Sequence, residues 1–278
     1  MLKRISKAFK QETIVPVEYT NELRQSYLST SVTSRNLNGK TVIITGANGG
    51  IGTALCLRFA KEGCNVLFTV RTEQKKEYVI NNLRKEFSEG NYKGFVLDIC
   101  DTVSINSFVR TISKYKIDIL INNAGVFSDV DKKRAFRAVT KKEFCDVLNT
   151  NLIGMIELTQ HIIPQMPETG SIINISSICS LYSRYQYTPY GISKSGVTSY
   201  TKKLREKYPK MNIHAIAPGS IATNMADKKL GSNLSYKSNY LKRIILPEEI
   251  SALCAFLSSK YGEKITNIPV LASAGEIF

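Results

Sequence analysis

The chain has 278 residues, 43% of them hydrophobic, and a formal net charge of +15. That length holds one large domain or two small ones, and that composition suffices for a sizeable core. No apolar run approaches the ~20 residues of a membrane span, and the six scattered cysteines form no CxxC pair, reading as reduced thiols of a cytoplasmic protein. The two histidines, His161 and His214, fall in no zinc-ligand spacing, so no metal site is expected. Neither sits in a loop motif that would make it the base of a Ser-His-Asp hydrolase.

The positive charge is patchy. Lys132, Lys133, Arg134, Arg137, Lys141 and Lys142 form one cluster, and Lys202, Lys203, Arg205 and Lys207 a second. A third runs over residues 228–243, which contain no acid. A solvated surface explains such patches, and so does attraction for an anionic substrate or lipid. No helix-turn-helix, RRM or zinc motif supports nucleic acid.

In chain order, residues 1–11 read as a short basic amphipathic helix. Leu2, Ile5 and Phe9 share one face, and Lys3, Arg4, Lys7 and Lys10 surround it. Such a helix can touch an anionic membrane surface, fold back as a packing arm, or serve as a presequence, although it lacks a long apolar core and a cleavage site. Pro16 and the polar run 29–38 suggest an extended linker, so residues 1–38 are set apart from a domain over 39–278. Asn38, Gly39 and Lys40 make a turn into the first strand.

From there strands and helices alternate, which predicts a doubly wound, mostly seven-stranded parallel sheet of Rossmann type. The expected strands are 41–45, 65–70, 94–97, 118–122, 171–175, 212–217 and 269–272. All are short and apolar, as for strands buried on both faces. Ile51, Leu55 and Phe59 mark a helical stripe that ends at Gly63, a C-terminal glycine. A longer helix is expected over 143–163 and another over 190–208. Segments 127–140 and 225–245 break the alternation; the second is a candidate substrate-covering loop.

Two constellations carry chemistry. Gly46, Gly50 and Gly52 stand in a G-x-x-x-G-x-G pattern between the first strand and the first helix. With Asn48 and Ile51 they form a candidate cradle for a dinucleotide pyrophosphate, where helix N–H groups face an anion. Tyr190 and Lys194 lie one helical turn apart, with Ser177 thirteen residues upstream of Tyr190. An amine beside a phenol favours phenolate and brings a side chain of pKa ~10 toward neutral pH. A hydroxyl alongside can hold a carbonyl oxygen.

The chain resembles the single-domain short-chain dehydrogenase/reductases. The resemblance rests on residues 45–52, Asn122-Asn123-Ala124-Gly125, Asn151, Ser177, Tyr190-x-x-x-Lys194 and Pro218-Gly219-Ser220-Ile221-Ala222-Thr223, in that order. It covers the chain from about Leu37 onward. It implies that Tyr190 is the general acid/base, that Ser177 orients a substrate carbonyl, and that Lys194 binds the nicotinamide ribose. Asn151 would hold a proton-relay water through a helix irregularity. Asp98 and Ile99 would edge the adenine and Asn123 the adenosine ribose, with Ala124 and Gly125 beside it. Ile221 and Thr223, after Pro218 and Gly219, would reach the nicotinamide carboxamide. Where the family carries an acid after the second strand, this chain has Val70, then Arg71 and Thr72, with Lys75 and Lys76 adding charge. Arg71 can pair with a 2′-phosphate, so NADP(H) is favoured over NAD(H).

In relatives the helices over 143–163 and 190–208 pair across a two-fold axis, which implies a homodimer or homotetramer. The sequence over 265–275 departs from the usual C-terminal pattern, and the N-terminal extension resembles those of family members from bacterial surface-polysaccharide clusters. The leading expectation is hydride transfer between NADP(H) and a small-molecule carbonyl or secondary alcohol. Charge and the N-terminus point to a sugar or polyol derivative. An acyl-thioester ketoreductase and a catalytically silent dinucleotide-binding regulator are the alternatives.

Overall fold

The structure, a computed structural model, describes residues 22, 25–27, 29, 36–88, 90–127, 139–182, 188–223, 240, 241 and 243–275. The amphipathic helix expected over 1–11, the cations from Lys132 to Arg137, and most of the segments 127–140 and 225–245 lie outside the described residues.

Seven strands form one sheet: β1 Thr41–Ile44, β2 Asn65–Val70, β3 Tyr92–Val96, β4 Ile119–Asn122, β5 Ser171–Ile175, β6 Asn212–Pro218 and β7 Val270–Ala272. Their order is β3-β2-β1-β4-β5-β6-β7, and every pair is parallel. Val42 of β1 stands level with Val66 on one side and Ile119 on the other. The seven expected strands are all present, within two residues at each end.

Successive side chains of a strand point to opposite faces, so each inner strand feeds two cores. Val42, Ile44, Ile119, Ile121 and Ile173 pack in one core. There they meet Leu55 and Phe59 of α1 (Gly50–Lys61), Val79 and Leu83 of α2 (Glu73–Glu86), and Ile250 and Cys254 of α7 (Pro247–Ser258). Ile43, Leu120 and Ile172 face the other way. They meet Ile105 and Phe108 of α3 (Thr102–Ile112), Leu158 of α5 (Gly154–Ile162), and Val197 and Leu204 of α6 (Thr188–Lys207). Each such side chain contributes about 1.5–3 kcal/mol by burial, more than any helix propensity at these positions.

Two sequence expectations need correcting. β3 and β7 are not buried on both faces; they are the sheet edges and stay partly exposed. Ser29 was expected in an extended linker. It lies in a helical segment with Glu22 and Gln25 to Tyr27, and its hydroxyl donates to the Ser26 carbonyl at 3.0 Å. Composition hides a contact of this segment: the Arg58 guanidinium of α1 donates to the Tyr27 carbonyl. Arg58 is 3% exposed and is paired with Glu62, the residue that follows α1. Leu37 is fully buried in the α1-side core.

The helix expected over 143–163 starts earlier. α4 (Lys141–Leu148) opens on a capping box in which Thr140 and Glu143 exchange hydrogen bonds. It passes through a π turn, Asn149–Ile153, into α5. The Gly154 N–H donates to the Asn149 carbonyl, five residues back. Ile153 of this turn and Ile192 of α6 are 51% and 46% exposed, apolar side chains open on the helices expected to pair. Among the described residues no helix is long and apolar enough to cross a membrane. All six cysteines are free thiols.

His214 stands in the middle of β6, fully buried, with Nε2 2.6 Å from Asn212 Oδ1. Burial lowers its pKa to about 4, and the charge of Arg205 pushes the same way, against the Gly262 backbone. Unfolding frees it to titrate near 6.5. Stability is therefore intact above pH 6.5 and declines as pH falls toward 4, by about 3 kcal/mol in all. Urea unfolding at pH 7 and pH 4 should show a larger decline for the wild type than for His214→Gln. Equal declines would remove His214 as the cause.

Candidate active site

The strand order reverses at β1, whose neighbours are β2 and β4, and whose chain exits toward the carboxyl ends of the sheet. A cleft of about 370 Å³ opens there. It runs from Arg71 and Lys75 past the glycine loop to Ser177, Tyr190 and Lys194.

Gly46 turns the chain out of β1 with φ +66°, a conformation that strains a side chain. A Cβ there would also fall 2.8 Å from Ala124 Cα. At Gly52 a Cβ would lie 2.2 Å from the Gly46 carbonyl oxygen, so the loop can close onto α1 only around glycine. The N-terminus of α1 carries no side-chain cap. Gly50 and Ile51, in its first turn, line the cleft, and first-turn N–H groups have no acceptor inside a helix. This arrangement fits an anionic diphosphate.

Thr45, which the sequence offered as a strand end and the first residue of the glycine motif, also organises the neighbouring loop. Its Oγ1 accepts from the Asn123 and Ala124 N–H groups at 2.9 and 3.0 Å. Asn123 Nδ2 donates to the Thr45 and Gly46 carbonyls at 2.8 and 3.1 Å. Asn123 thus spends its amide nitrogen on the glycine loop.

At the far end, Val70 closes β2 and Arg71 follows, exposed and lining the cleft. Lys75 lines it too, and no carboxylate is among the described lining residues. Two expected neighbours are not in the wall. Thr72 caps α2, its hydroxyl accepting from Lys75 N–H. Asp98 turns its carboxylate to its own loop and accepts from Cys100 N–H at 2.9 Å, while Leu97 and Ile99 line the cleft. Local turn chemistry claims both side chains. Asn48, Ala124, Gly125, Pro218, Gly219, Ile221 and Thr223 all lie where expected, along the cleft.

At the other end, Ser177 follows β5 and caps a 3₁₀ turn, Ile178–Ser180, its Oγ accepting from Cys179 N–H at 3.2 Å. Tyr190 and Lys194 rise from the first turns of α6. Lys194 is 4% exposed; its Nζ donates to the Ile175 carbonyl at 2.8 Å and lies 5.7 Å from the Tyr190 ring centroid. Burial lowers its pKa to about 8, with Cys179 opposing, so the amine is mostly charged at pH 7. Phe127, which the sequence did not single out, meets the Tyr190 ring edge-to-face at 5.1 Å.

Asn151 lies in the π turn, where an irregularity was expected. Its Oδ1 accepts from Val126 N–H at 2.7 Å and its Nδ2 donates to the Val126 carbonyl at 3.0 Å. Among the described residues no cluster of His, Cys, Asp and Glu is placed to hold a metal.

A model of the short chain dehydrogenase family matches residues 40–233. The chain belongs to the short-chain dehydrogenases. This dehydrogenase is 34% identical over 239 residues to the 3-oxoacyl-acyl-carrier-protein reductase of Thermotoga maritima, covering 83% of this chain and 94% of the relative. It is 31% identical to the acetoacetyl-CoA reductase of Cupriavidus necator, over 78% of this chain and 89% of that protein. The crystal structure of levodione reductase matches with a TM-score of 0.79 at 25% identity, covering 86% of this dehydrogenase and 97% of that chain. These relatives are oxidoreductases of a family that binds NAD(P)H, and the cradle described above fits such a dinucleotide.

Proposed function

We propose that this short-chain dehydrogenase is an NADP(H)-dependent reductase of 3-oxoacyl thioesters. The observation that carries the reading is one cleft with a Ser177–Tyr190–Lys194 cluster at one end and Arg71 with Lys75 at the other. The thioester reductases named above, both above 30% identity, support the substrate class.

When bound, the nicotinamide supplies the hydride. The Ser177 hydroxyl donates to the substrate carbonyl oxygen and orients it. As negative charge develops on that oxygen, Tyr190 gives it the phenolic proton, completing the alcohol. The buried Lys194 ammonium favours the phenolate left behind. Ile51 and Gly50 N–H groups would hold the diphosphate, Arg71 and Lys75 would pair with the 2′-phosphate, and Ile221 and Thr223 would reach the nicotinamide.

A sugar or polyol ketone carried on an anionic group, such as a nucleotide, is the second reading, and the charge of +15 is what favours it. NADPH consumption with acetoacetyl-CoA and, in parallel, with a panel of keto-sugars separates the two. Turnover of acetoacetyl-CoA is expected. Turnover confined to the sugars would overturn the thioester reading and leave the roles of Tyr190 and Lys194 in place.

A further inference from the structure

We propose that Ser193 is a positioning residue that sets Tyr190 against the π turn carrying Asn151; the inference rests on the reading of Tyr190 as the acid. Ser193 is fully buried, three residues after Tyr190 and one before Lys194. Its Oγ donates to the Tyr190 carbonyl at 2.7 Å and accepts from Asn151 Nδ2 at 3.1 Å. The same Asn151 nitrogen donates to the Val126 carbonyl, so both of its hydrogens are committed. Asn151 Oδ1 accepts from Val126 N–H. Val126 is bonded to Phe127, whose ring packs on the Tyr190 ring.

These contacts close a loop: Tyr190, Ser193, Asn151, Val126, Phe127 and back to Tyr190. One side of the loop fixes the backbone of Tyr190, and the other fixes its ring. The Asn151 amide does not have to meet a ligand to matter, because it ties helix α4–α5 to helix α6 through Ser193. A hydroxyl is needed at the junction because the position must accept from an amide and donate to a carbonyl at once. Alanine does neither, and burial keeps water from taking its place. Gly125 keeps the loop clear, since a Cβ there would stand 3.3 Å from Asn151 Oδ1.

The test measures kcat and KM with NADPH and acetoacetyl-CoA, and NADPH affinity by the fluorescence of the bound dinucleotide. Misplacing a reacting group by a fraction of an ångström to one ångström costs about ten- to a hundred-fold. Ser193→Ala should therefore lose about that much kcat, while NADPH affinity stays within about two-fold. Ser193→Thr, which keeps the hydroxyl, should recover most of the loss. In a cycle with Asn151→Ala, the double variant should be no worse than the poorer single, because the two residues act in series. Wild-type kcat in Ser193→Ala, or losses that multiply in the cycle, would overturn the proposal. So would NADPH affinity falling in step with kcat, the mark of a merely structural role. Tyr190→Phe in the same assay separates the two ideas: if it retains turnover, the reading of Tyr190 fails; if it is dead and Ser193→Ala keeps the wild-type kcat, only the positioning role fails.

Discussion

Tyr190→Phe is expected to lower kcat by about 10²–10⁴-fold, the usual worth of a positioned general acid. The substitution removes one oxygen and little else. The ring keeps its edge-to-face contact with Phe127, and the Tyr190 backbone keeps the bond from Ser193. The glycine cradle and Arg71 are untouched, so NADPH affinity should stay within a few-fold. Steady-state rates beside fluorescence titration of NADPH give both quantities. A variant that kept more than about a tenth of the wild-type kcat would remove Tyr190 from the chemistry.

Arg71→Ala should weaken NADPH selectively. A hydrogen bond to a charged group contributes about 1.5–3 kcal/mol, a loss of about ten- to 150-fold in affinity. Lys75 lines the same end of the cleft and will retain part of the attraction. The wild type should bind NADPH more tightly than NADH, because no carboxylate lines the described wall to accept from a free ribose 2′-hydroxyl. Titrating both dinucleotides against both proteins decides it. Equal wild-type affinities would rule out Arg71 as a selector, and an equal loss for both cofactors would make it a general phosphate contact.

The fold was legible where it depends on local pattern. Short β-branched runs such as Thr41–Ile44 and Ser171–Ile175 became strands, and Gly63 ends α1 with φ +80°. The glycine loop and the Tyr190–Lys194 turn were legible because their spacing is the motif. Residues that act across the sequence were not. Thr45 holds Asn123 and Ala124 from 78 and 79 positions away, and Ser193 meets Asn151 from 42. No window of sequence contains both partners. Asp98, expected from the family motif, and Thr72, expected from its place beside Arg71, carry short-range hydrogen bonds that no motif records. β3 and β7 look like inner strands by composition, since strand order is set by crossovers that no single strand records.

The buried guanidinium of Arg58 ties a residue that precedes the family match to the helix of the glycine cradle. The family match starts at residue 40, which invites the view that everything earlier is an appendage. Yet Arg58 sits on the helix that opens the glycine cradle, shielded from water, and a main-chain carbonyl of Tyr27 meets its charge. A chain trimmed to the family boundary would take the Tyr27 carbonyl from a buried cation and would strip Leu37 from the core. Cutting the chain at the family boundary would therefore reach the interior of the domain, and not its surface alone.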